Sequence, residues 1–174
     1  MASIKTARGV TIEYESHGQD GDPVALLVMG LSAQLVFWPP AMIEALVAAG
    51  YRVITFDNRD VGLSQKFHGQ QAPNPIAQIA LRRIGVKLRA PYTLLDMADD
   101  AEGLLVALGI DRAHVIGASM GGMIGQVFAS RKPDRTSSLV SIMSSTNHPS
   151  LPRPDRRVAS PVLFGRRRAK NKDE

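Results

Sequence analysis

The chain has 174 residues, 44% of them hydrophobic, and no cysteine. Its length allows one domain with a real core, and the missing cysteine excludes a disulfide scaffold, a zinc ribbon and a thiol nucleophile. The net charge of +5 is unevenly placed: residues 1–152 carry 13 basic and 13 acidic side chains, residues 153–174 carry 8 and 3, so the body lacks the basic face of a nucleic-acid-binding domain.

Residues 3–16 alternate around Gly9 and read as two short antiparallel strands joined by a turn. Residues 18–23 form a polar, Gly-rich loop. Residues 24–29 (VALLVM) are a continuous apolar run, as a parallel strand covered on both faces requires. Residues 30–38 are a loop. A helix follows over residues 39–49, with Met42, Ile43, Leu46 and Val47 on one face and Gly50 as its stop. Residues 51–56 (YRVITF) are the next strand, and residues 57–64 (DNRDVGLS) are a polar loop at its C-terminal end.

Prolines break residues 65–92, within which residues 76–88 carry a weak, basic helical pattern. Leu94, Ala98, Ala101, Leu105 and Leu108 then recur at helical spacing. Thr93 and Asp96 make a capping box ahead of them, and Gly109 ends the helix. Residues 112–118 are a strand, residues 120–130 a helix stopped by Pro133, and residues 136–144 one more strand. From residue 24 the order is strand and helix in strict alternation. That order demands a mostly parallel sheet with helices on both faces.

Gly117-Ala118-Ser119-Met120-Gly121 fits G-x-S-x-G, with an apolar strand directly before it and a Gly-rich helix directly after. This is the setting of a nucleophile elbow. A turn that tight strains the serine backbone and needs small neighbours, which Gly117 and Gly121 supply. Ser119 is then the candidate nucleophile, and the N–H of Met120 at the helix start points to where an oxyanion would form. A second oxyanion donor belongs to the loop after residues 24–29. There Gly30 lets the backbone turn so that the N–H of Leu31 faces the serine.

With VALLVMGLS, YRVITFDNRDVGLS and RAHVIGASMGGMIGQ in this order, the chain resembles the α/β-hydrolase family over roughly residues 3–150. The Met29-Gly30 form of the oxyanion loop and residues 57–64 look most like its anthracycline (aclacinomycin) methylesterase branch. The resemblance implies an α/β-hydrolase fold cut short after about the sixth strand. Residues 1–150 would be a partial core, and residues 151–174 a basic, Pro-rich tail that starts a cap segment. It also implies a cofactor-free, metal-free serine hydrolase acting on a small carboxylic ester or related acyl compound. Asp57 and Arg59 are then structural partners, not catalysts. Carbon–halogen hydrolysis is disfavoured, because those relatives place Asp at the position of Ser119.

The family's chain order is Ser, then Asp or Glu, then His. Only His148 follows Ser119 among the histidines. A Ser119–His148 dyad oriented by Asp155 is one arrangement; an ordinary loop histidine, with acid and base beyond the last residue of this chain, is the other. His17, His68, His114 and Asp134 fall at positions unsuited to the triad. The alternative function is an inactive binding module of the same fold. Residues 136–144 are expected to leave an exposed apolar edge open to self-association. The prolines spoil an amphipathic helix in the basic tail, so neither nucleic acid nor membrane is expected as a partner. With no apolar run of membrane-spanning length and no signal-peptide core, the expected location is cytoplasmic.

Overall fold

The computed structural model describes residues 1–67, 90–148 and 150–152. The weak helix at residues 76–88 and the tail from residue 153, with Asp155, lie outside these, as does His68. Six strands form one sheet: β1 (Ala2–Lys5), β2 (Thr11–His17), β3 (Val24–Val28), β4 (Arg52–Phe56), β5 (Ala113–Ala118) and β6 (Thr136–Ile142). The order across it is β1-β2-β4-β3-β5-β6. β1 and β2 pair antiparallel, β2 joins β4 antiparallel, and β4, β3, β5 and β6 run parallel.

Every residue of β3 is buried, and the reason is visible in which way each one points. Val24, Leu26 and Val28 pack under α2 (Leu94–Ala107) and α3 (Met120–Arg131). Ala25 and Leu27 pack on the other face with Trp38 and with Met42, Ile43, Leu46 and Val47 of α1 (Pro40–Ala48). Leu26 and Leu27 are fully buried on opposite faces, each worth roughly 1.5–3 kcal/mol of burial. A strand covered on both sides cannot alternate apolar with polar, hence the unbroken VALLV.

The loop expected at residues 30–38 contains a short 3-10 turn, Leu35–Phe37, that folds Leu35 and Trp38 into the core. The capping box of α2 is present: the Thr93 hydroxyl accepts the Asp96 N–H at 3.4 Å, and the Asp96 carboxylate accepts the Thr93 N–H at 2.8 Å. β6 pairs with β5 on one side and with no strand on the other among the described residues. Val140 on it is 47% exposed.

The chain leaves β3 toward β4 and leaves β5 toward β6, so the connections diverge at the C-terminal ends of two adjacent parallel strands. A crevice opens at such a switch point, and the candidate site lies there.

Candidate active site

Ser119 sits between β5 and α3 with φ 54 and ψ −120, a backbone that L-residues rarely adopt. Two contacts hold it. Its N–H donates to the Ile142 carbonyl at 2.9 Å, tying the turn to the end of β6, and its carbonyl accepts the Gly122 N–H at 3.0 Å. The turn closes only because its flanks lack side chains. A Cβ on Gly117 would lie 2.3 Å from the Gly121 carbonyl oxygen, and one on Gly121 would lie 2.0 Å from that of Val28.

The β3 loop meets this turn directly. A Cβ on Gly30 would stand 3.1 Å from Ser119 Cβ and 3.6 Å from its Oγ. Leu31 follows Gly30, and both line a cleft of 770 Å³ with Ser119, Phe37, Trp38 and Met143. Among the described residues, neither the Leu31 nor the Met120 N–H is taken by a protein acceptor. Ser119 itself is exposed.

The loop after β4 braces this assembly from behind. Asp57, almost fully buried, accepts the Leu35 N–H on Oδ1 at 2.7 Å and the Leu63 N–H on Oδ2 at 3.0 Å. Asn58 donates from Nδ2 to the Met29 carbonyl at 2.9 Å, just before Gly30. The sequence motif marked this loop, but only the fold shows that Asn58 holds the β3 loop. Asp57 and Arg59 act structurally, each with a different partner: Arg59 pairs with Asp100 of α2. Burial pushes the Asp100 carboxyl up, while the hydrogen bonds and charge of Arg59 pull it back. Asp100 carries no sequence motif of its own; its pairing with Arg59 follows from the fold alone.

His148 is placed in the loop after β6. It is exposed, with Nδ1 2.8 Å from Ser150 Oγ, and among the described residues no hydrogen bond joins it to Ser119. His17, His114 and Asp134 lie at the opposite end of the sheet from the cleft. Asp134 is in the turn Pro133–Arg135 that enters β6, at the opposite end of the sheet from Ser119. His17 pairs with Val53 at the start of β4, again at that opposite end. His114 meets Tyr51 edge-on, its Nδ1 2.9 Å from Ser138 Oγ. Among the described residues no group of three or more His, Cys, Asp or Glu converges as a metal site, and no helix is long and apolar enough to cross a membrane.

A family model described as alpha/beta hydrolase fold matches residues 23–173. The rhodomycin D methylesterase of Streptomyces peucetius is 34% identical over 126 residues, which are 72% of this chain and 36% of that protein. Among solved structures, a hydrolase from Pseudomonas aeruginosa superposes with a TM-score of 0.65 at 28% identity, over 92% of this chain and 52% of that one. The enol-lactonase of Burkholderia xenovorans gives 0.60 at 27% identity, over 78% and 44%. The chain spans well under half the length of the curated relatives it matches.

Proposed function

Since the chain belongs to the alpha/beta hydrolase fold family, we propose that Ser119 is the nucleophile of a hydrolase acting on a carboxylic ester or related acyl compound. One observation carries this reading. Ser119 is held at φ 54 in a Gly-flanked turn, at the switch-point cleft, with the Gly30 backbone against it. Strain of this kind costs on the order of 1–3 kcal/mol, persists where the surrounding structure over-determines it, and clusters at active sites.

In this reading Ser119 Oγ attacks the carbonyl carbon, and the resulting oxyanion takes hydrogen bonds from the N–H groups of Met120 and Leu31. The tetrahedral species collapses to an acyl-serine as the alcohol leaves, and water then releases the acid. Loss of one oxyanion donor costs about 10²–10³ in rate in comparable enzymes. Attack needs a base within about 2.6–3.2 Å. We assign acid and base to residues outside those described, because among the described residues no hydrogen bond joins His148, the histidine that follows Ser119, to the serine.

The similar proteins are named as a hydrolase, a methylesterase and an enol-lactonase, which supports the reaction class and leaves the substrate to experiment. The test is labelling by a fluorophosphonate probe. Labelling that disappears in Ser119→Ala supports the nucleophile. An unlabelled, folded wild-type chain would favour the binding module.

A further inference from the structure

Met143 directly follows β6 and has φ 42, a left-handed conformation that a bulky side chain resists. It is also 81% exposed. A large apolar residue that is strained and uncovered gains neither from its backbone nor from burial. Two further exposed large apolar residues, Leu31 and Phe37, line the same cleft as Met143. Among the described residues no charged side chain lines it; Met29, Met42 and Met143 offer thioethers, and Phe37 and Trp38 offer rings. The Ile142 carbonyl, one residue before Met143, accepts the Ser119 N–H. The position of Met143 is thereby fixed relative to the serine.

We propose that Met143 is a specificity-determining residue, held in its strained backbone so that its side chain walls the cleft against an uncharged, ring-bearing group of the substrate. The proposal deepens the acyl-hydrolase reading and rests on it for the word substrate, but the recognition itself is a binding event. Thioethers pack well on ring edges and adapt to ring shape. Against the Met143 wall, away from the oxyanion donors, a charged group would lose its water and meet no charged side chain among the described lining residues. A cleft of 770 Å³ lies within the roughly 300–1,000 Å³ typical of small-ligand sites.

The chain has a single tryptophan, Trp38, and it lines this cleft. Its fluorescence therefore reads occupancy without turnover. The full chain is titrated with three unreactive probes: 4-phenylbutan-2-one, butan-2-one and 3-phenylpropanoate. A saturable Trp38 change is expected with the first, and at least ~10-fold weaker binding with the other two. In Met143→Gly, where glycine accepts the backbone without strain, the preference for the phenyl ketone over butan-2-one should fall at least ~5-fold. Met143→Asn, which also tolerates this conformation, should behave alike and guards against misfolding of the glycine variant. An unchanged preference in either folded variant overturns the proposal, as does the lack of any saturable Trp38 change. Ser119→Ala should lose fluorophosphonate labelling. Met143-dependent binding without labelling in the wild type would remove the support for Ser119 as nucleophile and leave this inference standing.

Discussion

Arg59 donates to both carboxylate oxygens of Asp100, from Nε to Oδ2 at 2.6 Å and from Nη2 to Oδ1 at 2.7 Å, and both side chains are buried. The guanidinium is flanked by the rings of Phe67 and Tyr92, at 4.9 and 5.1 Å to their centroids. The pair clamps the loop behind the candidate site to α2.

Removing one partner leaves the other as an uncompensated buried charge. Asp100→Ala should destabilise the protein by about 3–5 kcal/mol. Replacing both, as Arg59→Met with Asp100→Leu, should cost far less. Urea unfolding of the three proteins checks this, and equal losses in the single and double variants would refute it.

Two glycines near Ser119 should respond differently to the same methyl group. In Gly121→Ala the new Cβ meets backbone of β3 at 2.0 Å, which cannot yield cheaply, so a loss of about 3 kcal/mol or more is expected. In Gly30→Ala the nearest atoms are Ser119 Cβ at 3.1 Å and the Ala118 carbonyl oxygen at 3.2 Å. That variant should fold and lose fluorophosphonate labelling through a displaced hydroxyl. Thermal melts beside labelling rates separate the two outcomes.

Hydrogen bonds from the Thr93 hydroxyl and N–H hold the Asp96 carboxyl below its ordinary range. The stability this contributes is present above the unfolded carboxylate value, near pH ~4, and is lost as the pH falls through the lower folded value. Thr93→Ala should remove about 0.5–2 kcal/mol at neutral pH. It should also flatten the acid slope, read from denaturation midpoints below about pH 4.5.

At the other extreme, burial pushes the Tyr92 phenol up to about 12, with help from the hydrogen bond and charge of Asp60. The unfolded chain loses this proton near pH ~10, whereas the folded chain keeps it. Stability from this group is therefore full below that pH and falls as the pH rises from there toward about 12. An alkaline melt series should show this loss in the wild type and a shallower one in Tyr92→Phe.

Much of this was legible from local pattern. VALLV declared a strand covered on both faces, Thr93 and Asp96 declared the start of α2, and the run from Gly117 to Gly121 declared the turn around Ser119. Each rests on residues a few positions apart, where periodicity, capping and steric size act directly on the backbone. Only the tertiary structure decided that β3 lies between β4 and β5, bringing Gly30 against Ser119. It also decided that Asp100 completes Arg59 from 41 residues away, and that Met143 stands strained on the cleft beside the serine. Those relations depend on which distant segments pair and pack, and the energy of such contacts leaves no periodic trace in the chain.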